Sequence, residues 1–443
     1  MKILIAFAKR GSVFAATLAA LWTMLTAAAA IPNSAIHEHM LESAVYYLER
    51  DAFQDSGPMR LQQDNFADAI LLNISWNMGT GTPFTAALDT EYFDGNDGEN
   101  DYGENWGFYS AVNGTTQPNT DYTRYWHGSA AVIRPLMLLT DISGIKLVGL
   151  ICALVLLAGN AALLMKKRQF FAAGALTAAF LCVHVWNIRL SLEYQPAVLV
   201  TLLVLPLFIQ FYRNDSALSI LSVISGVAIA FFDFLTAETL TILIPLLIVF
   251  IMRKQDGTFP GLSGSLVLSM KCGSAWLISY AGTFIAKWGL ASAVTGENKF
   301  TAALSSAEVR FVGEADTLSP VEQFLLAPAA NLSTLFGGTA RVDWAAVAGG
   351  LVISALVLGA VFYLFRSRGR FDRDFTLTML VLGALPFVRF FLLNNHSYLH
   401  EFFTYRALAS SILAVLAILW FSVEFRSKKK NPPVKGGKKH GRA

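Results

Sequence analysis

Long runs of apolar residues, separated by shorter polar segments, dominate the hydrophobic pattern of this chain. A helix rises about 1.5 Å per residue, so roughly 20 apolar residues cross about 30 Å of hydrocarbon. The runs cover residues 12–31, 145–165, 170–188, 197–212, 217–234, 239–252, 266–287, 344–365, 376–393 and 407–423. The pattern predicts an all-α membrane protein with about ten transmembrane helices.

Basic residues collect at alternate ends of these apolar runs. The basic ends carry Lys2, Lys9, Arg10, Lys166, Lys167, Arg168, Arg213, Arg253, Lys254, Arg366, Arg368, Arg370, Arg373 and the tail from Arg426 to Arg442. Cytoplasmic loops of membrane proteins hold the excess of lysine and arginine. We therefore expect both termini in the cytoplasm and the long polar loops outside it.

This topology divides the chain into six segments. They are a cytoplasmic N-terminus with the first transmembrane helix (1–31), a large extracytoplasmic loop with amphipathic helices and irregular structure (32–144), transmembrane helices 2–7 (145–287), a second extracytoplasmic loop (288–343), transmembrane helices 8–10 (344–425) and a basic cytoplasmic tail (426–443). Small residues follow the first apolar run, as after a signal peptide, so it is either a cleaved signal or a retained span. An even number of crossings favours retention.

Composition narrows the class of protein further. Hydrophobic residues form 54% of the chain and charged residues 15%, with a mean hydropathy of +0.50, which excludes a soluble domain of this size. Membrane topology accounts for the net charge of +3, so we expect membrane lipids and no nucleic acid as partners. Cys152, Cys182 and Cys272 lie inside apolar runs without paired spacing, which implies neither disulfides nor a metal cluster.

Four carboxylates of the first polar loop are the candidates for catalysis. Glu38 and Glu42 lie in "PNSAIHEHMLESAVYYLER", whose pattern predicts an amphipathic helix. The apolar residues expected to share one face of that helix are Ile36, Met40, Ala44 and Leu48. Asp64 and Asp68 are four residues apart in "DNFADAILLNISW", on one helical face. Neighbouring carboxylates bind a divalent cation or act as a general base. The alternative is that they are solvated or capping residues.

Cationic side chains among aromatic residues are the candidates for binding a phosphate. Arg124, Tyr125, His127 and Arg134 lie in "DYTRYWHGSAAVIRP", and Lys287 lies in "GTFIAKWGL". Arginine binds phosphate through two parallel hydrogen bonds, and aromatic rings favour the membrane interface. An interfacial aromatic belt with cations reaching towards water explains the same residues.

Acidic residues also occur at a junction between two apolar runs. Asp233 and Glu238 lie in "FFDFLTAETLT". An unpaired charge in hydrocarbon is costly, so both residues are expected near the outer surface or in a water-filled cavity.

The segment "NNHSYLHEFFTYR" lies between the last two apolar runs, on the predicted outer face. His396 and His400 share a helical face, as do Glu401 and Tyr405. A zinc site would need a third ligand, and the HExxH form is absent. Contact with a sugar, with Arg406 binding a lipid phosphate, fits these residue types better than a metal.

The arrangement resembles the glycosyltransferase C (GT-C) superfamily. The stretches "IPNSAIHEHMLESA", "DNFADAILLNI", "RYWHG", "FFDFLT", "YAGTFIAKW" and "NNHSYLHEFFTYR" are also similar to an uncharacterised family of bacterial integral membrane proteins. The superfamily resemblance implies an enzyme of the cell envelope that transfers a sugar from a polyprenyl-phosphate carrier to a glycan or lipid acceptor. An acidic residue of the first outer loop then serves as base or metal ligand. The superfamily's adjacent acids are absent, so Glu38, Glu42, Asp64 and Asp68 are the available substitutes.

Under this hypothesis the site residues should converge in space. One carboxylate would deprotonate the acceptor hydroxyl while cations stabilise the departing phosphate. The substrate-binding candidates are Arg124, Tyr125, His127, Asp233, Glu238, Lys287, His396, His400, Glu401, Tyr405 and Arg406. A polymerase or ligase of lipid-linked polysaccharide is an alternative, although such enzymes usually carry their large loop late in the chain. A flippase or transporter is another, although its polar residues should lie near the bilayer midplane.

Overall fold

The computed structural model describes residues 2–56, 61–96, 103–301, 303–305, 318–367, 372–422 and 424–425. Helices account for most of them. The helices are α1 (Lys2–Ala29), α2 (Asn33–Leu48), α3 (Asn65–Asn77), α4 (Pro83–Ala86), α5 (Glu104–Val112), α6 (Ala130–Leu136), α7 (Ile142–Lys166), α8 (Phe170–Cys182), α9 (Gln195–Gln210), α10 (Asp215–Phe232), α11 (Leu240–Gln255), α12 (Gly261–Thr295), α13 (Pro320–Leu335), α14 (Trp344–Phe365), α15 (Arg373–Leu392), α16 (Asn394–Leu399), α17 (Glu401–Thr404) and α18 (Leu408–Ser422).

Six helical segments are long and apolar enough to cross a membrane. They are Phe7–Ala29, Ile142–Lys166, Asp215–Phe232, Gly261–Thr295, Arg373–Leu392 and Glu401–Phe421. Shorter apolar helices cover Phe170–Cys182, Gln195–Gln210 and Trp344–Ala360. These lengths fit the predicted all-α membrane protein. A helix also forms at each of the ten apolar runs, although ten crossings stay a prediction.

Helix α11 is the centre of the bundle. Every residue from Leu240 to Arg253 is buried, because α11 is apolar on all sides and is surrounded by α9, α10 and α18.

The three cysteines of the apolar runs differ in exposure. Cys272 is buried as a small core residue, whereas Cys152 and Cys182 are exposed on helix surfaces, and all three are free thiols.

The described residues of the polar segment between α1 and α7 (32–141) form a loop module, whose apolar side chains pack with one another and with α1, α7 and α10. Helix α2 buries Ile36, Met40 and Ala44 as predicted, but Leu48 is exposed and Tyr47 takes the buried position. Two short antiparallel ribbons complete the module, β1 (Phe53–Asp55) with β2 (Gln62–Asp64) and β3 (Glu91–Tyr92) with β4 (Thr120–Asp121). A third ribbon pairs β5 (Arg366–Ser367) with β6 (Glu424–Phe425).

The other end of the helix bundle gathers basic residues that the sequence places in the cytoplasm. Arg213 pairs with Asp256 at 2.6 Å, Arg253 pairs with Asp215 at 2.6 Å, and Lys254 pairs with Asp372. We call this the basic end. Arg368, Arg370 and the basic tail (426–443) lie outside the described residues.

Candidate functional site

A cavity of about 310 Å³ lies between the loop module, the α8–α9 and α10–α11 connections, and helices α16 and α17. Its lining residues are Phe53, Asp64, Phe66, Ala67, Ile70, Leu71, Tyr92, Tyr122, Arg124, Tyr125, His127, Glu193, Phe234, His396, His400 and Phe403. The structure thus brings together six residues singled out from the sequence, which are Asp64, Arg124, Tyr125, His127, His396 and His400. They come from segments separated by up to roughly 330 positions in the chain, whereas Lys287 and Arg406, which the enzyme hypothesis also expected there, do not line the cavity.

Asp64 is the carboxylate that borders this cavity. It ends β2 and caps α3, where one carboxylate oxygen accepts a hydrogen bond from the backbone N–H of Ala67 at 2.8 Å. The side chain is only 2% exposed. Burial, and secondarily the negative charge of Asp68, raises the pKa of Asp64 to about 7 despite the capping bond. The carboxyl group therefore changes its protonation state near neutral pH.

Asp68 has a different environment from Asp64. One carboxylate oxygen accepts hydrogen bonds from the Ser191 hydroxyl and the Leu192 backbone N–H, each at 2.7 Å. The other accepts from Tyr47 at 2.8 Å and pairs with Lys146 at 2.7 Å. The carboxylate is completely buried and does not line the cavity. Through these contacts Asp68 joins the loop module to α7 and to the α8–α9 connection.

Glu38 and Glu42 lie away from the cavity. Both are exposed on the outer side of α2, whose buried face packs into the loop module. Exposed carboxylates on a helix surface face solvent rather than an enclosed space that could hold a substrate. Of the four candidate bases, the geometry leaves only Asp64 at the cavity.

Arg124 lies over the ring of Tyr122, with its guanidinium carbon 3.8 Å from the ring centre. Its backbone carbonyl accepts a hydrogen bond from the indole of Trp288 at 3.0 Å, which fixes the segment against α12. Within the described part of the chain, Nε of Arg124 has no hydrogen-bond partner. Arg124 thus brings a positive charge with an unused donor to the cavity.

His127 departs from the role expected of it. Burial lowers the pKa of His127 to about 3, so the imidazole is neutral at physiological pH. Its Nε2 lies 2.9 Å from the backbone oxygen of Tyr122. Burial, together with the positive charges of Lys287 and Arg124, therefore opposes the expected role of His127 as a positive charge for a phosphate.

His396 and His400 lie on the opposite wall, on α16 and at its end. Their ring centres are 4.8 Å apart, and the His400 ring stacks on Phe403 at 5.2 Å. Asn331 of α13 supports this wall by donating to the Ser397 carbonyl at 2.8 Å. Across the described ranges, no three side chains of the histidine, cysteine, aspartate or glutamate type are placed to hold one metal ion. A divalent cation stays a hypothesis.

Three of the other candidates have structural contacts outside the cavity. Lys287 is fully buried and donates to the Ala87 carbonyl at 3.2 Å, so it does not extend to water. Arg406 is also buried, with its guanidinium carbon 4.5 Å from the ring centre of Tyr194. Tyr405 donates to the Val183 carbonyl at 3.2 Å. These residues brace the helix ends behind the cavity wall.

The acidic residues of the membrane junctions are likewise paired. Glu238 accepts from Arg389 through both carboxylate oxygens, at 2.9 and 3.1 Å. Asp233 accepts from the backbone and hydroxyl of Thr236. Glu401 pairs with Arg341 at 3.5 Å. None of the three carboxylates lines the cavity, so the described contacts favour a role in holding the connections between helices.

Sequence reasoning missed several residues of the cavity wall. One of them is Glu193, since nothing in the neighbouring sequence "RLSLEYQP" indicates that the α8–α9 connection turns towards the loop module. The aromatic wall was missed as well, and it consists of Phe53, Phe66, Tyr92, Tyr122, Phe234 and Phe403. The aromatic residues around Arg124 were the one available signal for it.

The sequence matches no protein-family model, no curated protein and no solved structure.

Proposed function

We propose that this protein is a GT-C-type glycosyltransferase of the bacterial plasma membrane. It transfers a sugar from a polyprenyl-phosphate donor to a cell-surface glycan or lipid acceptor on the outer face. The observation that carries the proposal is a buried carboxyl group, Asp64, with a pKa of about 7, in an aromatic cavity that also holds a cation, Arg124. A general base works best when its pKa lies near the operating pH.

In the proposed reaction Asp64 accepts the proton of the acceptor hydroxyl. The acceptor oxygen attacks the anomeric carbon of the donor sugar, and the bond from that carbon to the carrier phosphate breaks with inversion. Negative charge develops on the departing phosphate, where Arg124 stabilises it. Arg124 lines the cavity, and its Nε donor is buried without a partner among the described residues.

The aromatic walls and the two histidines support sugar as the group transferred. Flat rings such as Tyr122 and Phe403 pack against the apolar face of a pyranose, while His396 and His400 offer nitrogen atoms to its hydroxyl groups. A mostly apolar cavity with a few convergent polar groups is typical of sites for small organic ligands.

The proposal includes a membrane orientation. The loop module and the cavity face the outside, the basic end faces the cytoplasm, and about ten helices cross the bilayer with both termini inside. The separation of Arg213, Arg253 and Lys254 from the loop module supports this orientation.

The test is sugar transfer by purified protein in vesicles, with a panel of radiolabelled polyprenyl-phosphate sugars. We compare wild type with Asp64→Asn and with Glu42→Gln, which removes an exposed carboxylate of the same loop module. Wild type and Glu42→Gln should transfer equally, and Asp64→Asn should be slower by about 100-fold or more, because it loses the base.

Two other outcomes would contradict the transferase. Absence of transfer with every donor, together with movement of the carrier lipid across the bilayer, would indicate a flippase. Formation of long glycan chains from preassembled lipid-linked repeats would indicate a polymerase or ligase.

A further inference from the structure

The backbone of His127 is held in a conformation that few residues other than glycine adopt. Its φ is +52°, in the left-handed region. The next residue donates its N–H to the Phe231 carbonyl at 3.0 Å, and the His127 carbonyl accepts from the N–H of Ala130 at 3.0 Å. These bonds fix the backbone position from which the side chain extends. The imidazole lies on the wall of the cavity, with the ring centres of Tyr122 and Phe234 each 5.3 Å away.

The contact to Tyr122 determines the tautomer of this imidazole. A backbone carbonyl oxygen only accepts hydrogen bonds, so Nε2 of His127, 2.9 Å from the Tyr122 oxygen, must carry the proton. The ring is neutral because burial disfavours its charged form. A neutral imidazole with a proton on Nε2 has a lone pair on Nδ1, which makes Nδ1 a hydrogen-bond acceptor.

That acceptor is buried and, in the part of the chain that the structure describes, no donor reaches it. Buried polar atoms without partners are rare, and each one asks for an explanation such as a ligand. His127 is 1% exposed and its side chain lines the cavity that holds Asp64 and Arg124. The partner of Nδ1 is therefore to be sought in the molecule that fills this cavity.

We propose that Nδ1 of His127 accepts a hydrogen bond from one hydroxyl group of the sugar bound in the cavity, and so selects among sugars by the position of that hydroxyl. The inference rests on the proposed function, since it takes a sugar as the occupant. It changes the task of His127 from binding the carrier phosphate to recognising the sugar.

The chemistry of Nδ1 excludes the phosphate as its partner. An ionised phosphate diester has no proton to donate, and its oxygens would meet the Nδ1 lone pair with repulsion. A pyranose hydroxyl donates one hydrogen bond and accepts others, so it satisfies Nδ1. The low basicity of this imidazole also leaves proton abstraction to Asp64.

Two substitutions test the two ring nitrogen atoms of His127 one at a time. In His127→Gln the amide nitrogen occupies the place of Nε2 and keeps the bond to Tyr122, but no acceptor replaces Nδ1. In His127→Asn the side-chain oxygen occupies the place of Nδ1, and asparagine tolerates a positive φ well. Asparagine should therefore retain the proposed recognition, and glutamine should lose it.

The measurement is the binding of glycosides to purified protein in detergent, monitored by saturation-transfer NMR during a titration. The probes are methyl pyranosides of glucose, galactose and mannose and the monodeoxy analogues of the one that binds tightest. A single neutral hydrogen bond changes affinity by roughly 2- to 12-fold. We expect one deoxy analogue to bind wild type more weakly than the unmodified glycoside by such a factor. His127→Gln should bind the unmodified glycoside more weakly by the same factor. The two losses of affinity should not add when the analogue is combined with the variant.

Additive losses, an unchanged affinity in His127→Gln, or no binding of any glycoside would overturn the inference. Nitrogen-15 NMR of histidine-labelled protein, with His127→Asn for assignment among seven histidines, checks the tautomer separately. A proton on Nδ1 in the free protein would also overturn it. If glycosides bind with non-additive losses but no sugar is transferred, His127 recognises the sugar and the protein is not a transferase. If sugar is transferred and His127→Gln leaves the transfer unchanged for every sugar, the protein is a transferase and His127 does not recognise the sugar.

Discussion

The carboxyl group of Asp64 caps α3 and also borders the cavity, and these two tasks make opposite demands on its charge. Its pKa is raised from 3.8 to about 7 in the folded protein, so the folded state holds the proton more tightly than the unfolded state. Stability is therefore lost as pH rises from about 4 to about 7, by up to about 4 kcal/mol for a shift of this size.

The first prediction is that Asp64→Asn unfolds at a higher temperature than wild type, with a difference that grows between pH 5 and pH 8. Asparagine caps a helix as well as aspartate does, but it carries no charge that burial opposes. Thermal unfolding in detergent at several pH values measures this. A variant that is less stable than wild type at pH 8 would show that the carboxylate is well solvated.

The second prediction concerns the rate of sugar transfer. Because the base must be ionised, the wild-type rate should rise tenfold per pH unit below about pH 7 and level off above it. Transfer assays in vesicles from pH 5 to pH 9 follow this profile. A profile without that rise would remove Asp64 as the base, because no ionisation near 7 would control the reaction.

The third prediction separates Asp68 from Asp64. Lys146→Met leaves the buried Asp68 carboxylate without its cation, which should cost about 3–5 kcal/mol of stability. Adding Asp68→Asn should recover part of that loss, since the amide has no charge to compensate. Unfolding in detergent measures both, with the exposed Lys166→Met as control. Transfer per folded molecule should survive in the double variant, and its loss would return Asp68 to the reaction.

These two aspartates show what spacing along the chain cannot decide. A separation of four residues brings the two carboxyl groups close enough for Asp68 to raise the pKa of Asp64, but Asp64 is the N-cap of α3 and Asp68 lies inside the helix. The spacing gives no information on Lys146 and Ser191, which lie about 80 and 120 positions further on and contact Asp68 through an ion pair and a hydrogen bond. Which carboxylate keeps access to the cavity is therefore a property of the tertiary structure.

Arg134 joins helix ends at the scale of secondary-structure elements. Its guanidinium donates to the Ala28 carbonyl at 2.9 Å, and to the carbonyls of Ile31 and Ser75, so it satisfies acceptors at the ends of α1 and α3. It also donates to the side chain of Asn33 at 3.1 Å. A residue that the sequence suggested for phosphate or the membrane interface is instead a shared cap.

The fourth prediction is that Arg134→Lys lowers stability by about 2–3 kcal/mol. An ammonium group cannot reach carbonyls that lie on two sides of a planar fork, so at least one buried acceptor loses its donor. Thermal unfolding checks this, with Arg213→Lys as the matched control. Arg213 is largely exposed, so water weakens its ion pair with Asp256 and Arg213→Lys should change the unfolding temperature little. Equal effects of the two substitutions would remove the capping role.

Elements were easier to predict than their contacts. Each apolar run became a helix, because length and hydrophobicity are local properties of the chain. The spacing of four residues correctly placed Ile36, Met40 and Ala44 inside α2 and failed at Leu48. A helix turns about 100° per residue, so Leu48 lies about 120° around the helix from Ile36. Tyr47 lies about 20° from Ile36, and it is buried with its hydroxyl donating to Asp68.

The fifth prediction, at the scale of the whole molecule, concerns orientation in the membrane. In a variant whose three cysteines are replaced by alanine, a cysteine at Glu42 should react with a membrane-impermeant maleimide in intact cells. A cysteine at Ser216, exposed at the basic end, should react only after the membrane is permeabilised. Labelling in the reverse order would place the cavity on the cytoplasmic side.

The overall architecture could be predicted further than the site. Alternating basic ends anticipated which connections meet, as the pairs of Arg213 with Asp256 and Arg253 with Asp215 illustrate. The cavity depends on how a module of about 110 residues seats on helix ends, and its aromatic wall comes from six separate segments. Such long-range packing has no signature in a single sequence.

The enclosed position of α11 has a consequence for how the protein is made. Its neighbours include α9 and α10, synthesised before it, and α18, synthesised roughly 150 residues later. Until α18 arrives from the ribosome, one flank of α11 lacks its partner helix, and the apolar side chains on that flank stay uncovered. Assembly of the bundle is therefore completed only after translation of α18, and a nascent chain interrupted before that point would present quality-control proteases with an open groove.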